Sequence, residues 1–317
     1  MQTIAPNRDA APSWDFRQKV AMLLAGSAAQ KQVLTYLLIG VCVVVLLVHA
    51  PSLSARATFL DDHNFALENP LVQNPSWNSA KRFFVEVFEP SSIPGFYLPL
   101  TMTSLMMDRD MAGRYDSMRA YHRTSLALHV ANTALVGVFL YLLFGRPVIA
   151  AGLALLFGLH PLSVESVCWI SERKTVLAAF FALWSLIFYV RFTREGKRWR
   201  FVACCVMYAL ALLSKPIAVP LPAMMLLMDH WPLDRLDRKA IVEKWPLFVL
   251  GVLSAIVILV SQQRTAPAQL PGDYDPWQIP LVLCHNIIFY LHKSFWPAGL
   301  SAYYGFPVPM GLRSPAV

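Results

Sequence analysis

An all-α integral membrane protein is the fold class this sequence predicts: a polytopic helical bundle of about seven or eight membrane segments, with a large first outer loop carrying interfacial helices. Three observations predict it. The 317 residues are 56% hydrophobic and only 15% charged, with a mean hydropathy of +0.49. Apolar runs of roughly 18 to 22 residues recur, long enough to cross a hydrocarbon core of about 30 Å as helices. Backbone in lipid has to satisfy its own hydrogen bonds, so these runs are expected as helices.

Taken in order, residues 1–32 read as a polar cytoplasmic segment, too long and too polar for an ordinary signal peptide. The run "VLTYLLIGVCVVVLLVHAPSL" has no convincing cleavage site and reads as a retained signal anchor. Further spans are expected at about 124–144, 148–162, 174–192, 201–214, 216–231 and 246–262, with another apolar segment near 279–298. The cysteines Cys42, Cys168, Cys204, Cys205 and Cys284 are odd in number and show no metal-ligand spacing, so buried free thiols are expected.

Charge gives the orientation. "RFTREGKRWR" holds Arg191, Arg194, Lys197, Arg198 and Arg200 against one acid. "DRLDRKAIVEK" adds Arg235, Arg238, Lys239 and Lys244, and Arg17, Lys19 and Lys31 precede the first span. Short loops rich in Lys and Arg stay cytoplasmic. The N-terminus is therefore expected inside, residues 54–122 form the first outer loop, and the cytoplasmic loops carry surface-type charge. The net charge of +8 is explained by this placement, and nucleic acid is not expected as a partner.

With that topology, Asp61, Asp62, His160, Glu165, Glu172, Arg173, Lys174, Lys215 and Arg264 share the outer face. In "ATFLDDHNFALENP" the two acids sit between Phe59, Leu60 and Phe65. Apolar neighbours and a like charge push one carboxyl toward proton acceptance, although a solvated loop is the simpler reading of Asp-Asp alone. Hard oxygens beside a histidine also suit a divalent cation, Mg²⁺ or Mn²⁺, for which Asp61, Asp62, His160 and Glu165 are the candidate ligands.

In "HPLSVESVCWISERK", Pro161 predicts a helix end at His160. Glu172, Arg173 and Lys174 then open the next span, either snorkelling to headgroups or holding a lipid phosphate at a helix start. Lys215 in "LLSKPIAVPLP" is an ionisable group at a tight turn between apolar segments, where such groups tend to be functional. "GFYLPLTMTSLMMDRDMAG" reads as an interfacial helix with its Met and Leu residues on the bilayer. His129 and Asn132, three apart, share a helix face and suit interhelical hydrogen bonds.

Read as an ordered set, "FLDDHNFALENPLV", "YLPLTMTSL", "HPLSVESVCWISERK", "LLSKPIAVPLP", "LMDHWPLDR" and "FWPAGLSAYYGFPVP" resemble the successive motifs of the GT-C glycosyltransferases. The resemblance is to the bacterial relatives of the transmembrane-and-tetratricopeptide-repeat protein O-mannosyltransferases, and it covers about residues 59–308. It implies a GT-C transmembrane catalytic domain over 33–300 in a bacterial inner membrane, with the active site facing the periplasm. It also implies transfer of mannose from a polyprenyl-phosphate donor to a Ser or Thr hydroxyl of a polypeptide acceptor. Asp61 or Asp62 would be the base. Arg173, Lys174 and Lys215, with Arg264 less central, would hold the departing phosphate, and His160 and Glu165 would belong to the sugar or metal shell. Members of that family continue into further spans and tetratricopeptide repeats. Residues 301–317 are expected as an outer-side tail, truncated relative to the family. Two alternatives stay open: a catalytically inactive membrane paralogue that binds lipid-linked sugar or a partner, and a transporter. The second conflicts with charges gathered at one interface.

Overall fold

The computed structural model describes residues 27–58, 61–86, 92–113, 117–265, 279–301 and 304, and every regular element among them is helical. Among the described residues four helical segments are long and apolar enough to cross a membrane: Ala28–Ser54, Met118–Phe144, Arg173–Glu195 and Arg238–Gln263. The chain is an all-α protein built for a membrane.

Helix α1 (Ala28–His49) starts where the Ser27 hydroxyl caps Gln30 N–H at 3.2 Å. It is apolar all round, yet only Leu34, Leu38, Val41, Val45 and His49 are buried, a stripe repeating every three or four residues. The rest of its surface, including Val33, Ile39, Leu47 and Val48, faces outward as lipid-exposed side chains would. Among the described residues the first loop carries a π-helical turn (His63–Leu67) and three α-helices, α2 (Pro70–Gln73), α3 (Trp77–Val85) and α4 (Pro99–Ala112). Next come α5 (Ser117–Phe144), α6 (Pro147–Leu159), α7 (Ser163–Cys168), α8 (Arg173–Glu195) and α9 (Arg198–Ser214). After them follow α10 (Leu221–His230), α11 (Arg238–Val242), α12 (Trp245–Thr265) and α13 (Ile279–Phe295).

Punctuation residues set the reversals. Gly196 takes a left-handed φ of 65° after α8, and its N–H caps Phe192 O. A close approach is at Gly158 in α6. A Cβ there would lie 2.6 Å from Val45 Cγ2 and 2.9 Å from Thr133, so α1, α5 and α6 meet only because that position has no side chain.

Cross-helix bonds show that the long helices alternate in direction between two ends. At one end His122 Nε2 lies 3.1 Å from Ala55 O, and the Thr101 hydroxyl donates to Ser214 O at 2.9 Å. At the other, the Tyr189 hydroxyl donates to Asp229 at 2.7 Å, and Phe144 packs on Trp231 with ring centroids 5.7 Å apart.

Three apolar cores hold the bundle. Leu34, Leu38, Tyr141 and Ala154 join α1, α5 and α6. Tyr189, Tyr208, Met225 and Leu247 join α8, α9, α10 and α12. Phe65, Phe83, Met102, Leu105, Tyr121 and Ile170 give the first loop its own core, seated on α5 and on the start of α8.

Several expectations change. The segment 216–231, expected as one span, is a short 3₁₀ turn (Pro216–Ala218) followed by the ten-residue α10, because Pro216, Pro220 and Pro222 break the run. Ten residues rise only about 15 Å, half the depth of a hydrocarbon core. Helix α4 does not turn all of its Met and Leu residues outward: Met102, Leu105 and Met106 are buried in the loop core, while Met107 and Met111 face out. All five cysteines are free, but only Cys204 is buried, and Cys284 is exposed.

The basic loops are not merely solvated either. Asp229 and Lys244 are fully buried and paired with each other, with the Tyr189 hydroxyl on Asp229. Arg235 bridges Glu243 at 2.7 Å beside them. Phe59, Leu60, residues 266–278 and most of the segment after Ser301 lie outside the described residues.

Candidate functional site

The two acids of the opening motif part company. Asp62 is fully buried. Its Oδ2 accepts from Thr58 N at 2.8 Å and Thr58 Oγ1 at 3.0 Å, and its Oδ1 accepts from Ser171 N at 2.8 Å. It staples the first loop to the segment that precedes α8, and every bond it makes comes from an N–H or O–H donor. Asp61 points the other way, with 44% of its side chain exposed and its Oδ2 4.0 Å from Lys174 Nζ.

The three charges that open α8 diverge in the same manner. Successive residues on a helix do not share a face, so Glu172, Arg173 and Lys174 cannot act as one clamp. Arg173 turns inward and is fully buried. It pairs with Asp108 at 2.8 Å and donates to Ser104 Oγ, Ser125 Oγ and Tyr121 O. A guanidinium with that many partners joins α4 and α5 to α8 and has no donor directed at a ligand. Glu172 and Lys174 turn to the other side and pair at 3.0 Å. Lys174 Nζ also lies 4.7 Å from the Phe65 ring centre and 5.7 Å from that of Phe96, close enough for cation–π attraction.

Lys215 completes the group. It ends α9, where Pro216 stops the helix, and its ammonium reaches Glu172 Oε2 at 3.1 Å and Thr175 Oγ1 at 2.7 Å. The Thr175 hydroxyl bonds Glu172 as well. Asp61, Lys174, Glu172, Lys215 and Thr175 thus form one continuous cluster at the loop-bearing end of the bundle.

Two acids and two lysines balance in formal charge. Burial alone would raise the Glu172 carboxyl, but Lys174, Lys215 and Thr175 hold it below its ordinary value. Glu165 on α7 is pushed up instead, first by loss of hydration and then by the Glu172 charge, against the pull of the two lysines. Two of the three Lys215 protons are committed to Glu172 and Thr175, so an incoming phosphate would compete with Glu172 for this ammonium.

His160 stands apart from the cluster. Its Nδ1 accepts from Leu162 N at 3.3 Å, which leaves the proton on Nε2 to donate to Ser294 O on α13 at 3.0 Å. The ring walls a cleft of about 470 Å³ between α5, α6, α7 and α8, lined by Asn132, Leu153, Phe157, Ser166 and Thr175 among others. Thr175 belongs to both the cleft and the cluster. Arg264 falls in the last turn of α12, and its side chain lies outside the described residues. The two polar residues foreseen as helix ties behave so: His129 Nε2 bonds Gly158 O at 3.0 Å, and Asn132 Nδ2 donates to Val176 O at 2.8 Å.

Of the four side chains considered for a cation, Asp62 is taken up by N–H and O–H donors and His160 by a carbonyl. Among the described residues no three His, Cys, Asp or Glu side chains gather as a metal set.

Sequence reasoning passed over Thr175, Phe96 and Asp108. Thr175 was legible as the residue three after Glu172, one turn along the same helix face. Asp108 follows Leu105 by three, which puts an acid on the buried face of α4 and calls for a buried cation opposite.

Comparison with protein-family models, with curated proteins and with solved structures finds no match to this chain.

Proposed function

We propose that this protein is a membrane glycosyltransferase of GT-C type. In this reading it moves a sugar, mannose in the favoured version, from a polyprenyl-phosphate donor to a Ser or Thr hydroxyl, in a bacterial inner membrane with the cluster facing the periplasm. The observation that carries the reading is Asp61: a half-buried carboxylate 4.0 Å from a lysine that shares Glu172 with a second lysine, at the end of the bundle where the loops gather.

The chemistry needs a base and a cation. The acceptor hydroxyl gives its proton to Asp61 as its oxygen bonds to the anomeric carbon. The bond from that carbon to the phosphate oxygen breaks, and the electron pair leaves with the lipid phosphate. A phosphate ester departs without protonation, so positive charge suffices on that side. Lys215 and Lys174 supply it where it develops. A single displacement of this kind inverts the anomeric centre. Asp62 and Arg173 support the reaction by holding the loop and α8 in register, while Asp61 alone of the acid pair is placed to take a proton.

The test is transfer of labelled mannose from polyprenyl-phosphate mannose to a Ser/Thr-rich peptide by the purified protein. Transfer that disappears in Asp61→Asn and persists in Thr193→Ala, a residue near the opposite end of α8, is the expected result. Undiminished transfer by Asp61→Asn would remove the base and with it this mechanism.

A further inference from the structure

Phe96 is a large aromatic side chain held 42% exposed against the ionic cluster, and the chain around it is built to keep it there. Ile93, Pro94, Gly95 and Phe96 form a turn closed by Phe96 N–H on Ile93 O at 3.2 Å. Pro94 suits the second place of such a turn, and Gly95 takes a φ of 80° at the third, where a side chain would be strained. The turn is anchored on both sides. Ile93 and Leu98 are buried in the core of the first loop, and the Tyr97 hydroxyl donates to Phe84 O at 3.1 Å. A ring on a tethered turn has little freedom to lose when a ligand packs on it.

Its neighbours define what that ligand is. The Phe96 ring meets buried Phe65 at 64°, with centroids 5.8 Å apart. Lys174 Nζ lies 5.7 Å from the Phe96 ring centre and 4.0 Å from Asp61 Oδ2, so ring and carboxylate are no farther apart than those two distances laid end to end. A hydrocarbon tail is a poor occupant beside an ammonium and a carboxylate, because it would strip water from both. A pyranose suits ring and charges together. Its hydroxyls meet the charged groups, and its face of C–H bonds packs on the electron-rich face of the ring.

We propose that Phe96 is the platform on which the hexose of the sugar donor stacks, so that the site prefers a glycosylated lipid phosphate to one without a sugar. This rests on the transferase reading, in which Lys174 and Lys215 hold the phosphate. The hexose is bonded to that phosphate, which places it beside Lys174, the residue that neighbours both Asp61 and the ring.

The test is equilibrium binding of two radiolabelled lipids to the full-length protein in nanodiscs. One is polyprenyl-phosphate mannose; the other is polyprenyl methyl phosphate, a phosphodiester of the same charge with no sugar. The native protein is expected to bind the mannosyl lipid more tightly. Phe96→Leu should weaken that lipid about tenfold, through loss of the aromatic face, and leave the methyl ester unchanged. Phe96→Trp, which keeps an aromatic face, should bind both as the native protein does. Unchanged binding of the methyl ester also reports that Lys174 and the fold are intact. Phe96→Leu that is folded and weakens both lipids equally, or neither, overturns the proposal and leaves the transferase reading standing. If Phe96→Leu does not fold, the native protein decides, since equal affinity for the two lipids also overturns the proposal. A native protein that binds neither lipid overturns the transferase reading, and the role of Phe96 falls with it.

Discussion

Asp61 and Asp62 are neighbours with opposite duties, and replacing each by Asn separates them. Asp62 is fully buried and accepts three hydrogen bonds, two on Oδ2 and one on Oδ1. In Asn one oxygen becomes NH₂, a donor facing donors. If the Oδ1 position is the one changed, Ser171 N–H loses its partner, and the two Thr58 bonds lose charge assistance. An unpaired buried N–H costs about 1–3 kcal/mol, and bonds to a charged acceptor are about twice as strong as neutral ones. The expected loss for Asp62→Asn is therefore about 3 kcal/mol.

Asp61 is 44% exposed and its nearest cation is 4.0 Å away, so Asp61→Asn should leave stability within about 0.5 kcal/mol of the parent. The assay is reaction of a thiol-selective dye with Cys204, which is fully buried, during heating in detergent, in a background where Cys42, Cys168, Cys205 and Cys284 are replaced by Ala. Early dye reaction in Asp62→Asn with an unshifted curve in Asp61→Asn is the prediction. The reverse pattern would refute the division of roles drawn here, and with it the choice of Asp61 as base.

Three further outcomes follow from the same geometry. Lys215→Met removes one ammonium from the cluster and should weaken equilibrium binding of radiolabelled polyprenyl phosphate about tenfold, while unchanged affinity would take Lys215 out of the phosphate site. Stability should depend on pH through two carboxyls of opposite sense. Glu172 is held below its ordinary value of 4.5, so its contribution is present above that pH and fades as pH falls through the lower folded value. Glu165 is raised, so its contribution is present below 4.5 and fades as pH climbs through the raised folded value. In the dye assay, Glu172→Gln should flatten the acid limb, and Glu165→Gln should raise stability slightly near neutrality. At the far end, Lys244→Met should cost about 3–5 kcal/mol by stranding buried Asp229, and adding Asp229→Leu should recover most of it. A double variant no better than the single would show that the pair is not the coupled unit.

Much of the bundle was legible from hydropathy. The run at 33–53 and the starts of α6 and α8 follow from apolar length, Pro147 and the charge triplet, which are local signals. The broken segment after Lys215 was less so, because three prolines had to be weighed against a continuous apolar composition. The buried Asp229–Lys244 pair was missed for a plainer reason: both lie in stretches whose charge density marks solvent, and only the packing of α10 against α8 and α11 encloses them.

The site divides along the same line. The sequence by itself determined which residues were available at one end of the bundle, because lipid excludes ionisable groups from the hydrocarbon and the loops must carry them. It could not say which way any of them pointed. Asp61 and Asp62, or Arg173 and Lys174, are adjacent in sequence and equivalent in composition, yet one of each pair is buried and saturated while the other joins the cluster. That choice depends on partners far along the chain: Ser171 for Asp62, Asp108 for Arg173, Lys215 for Glu172. Only the tertiary structure brings them within hydrogen-bond distance, so only it decides which charges hold the fold and which remain for chemistry.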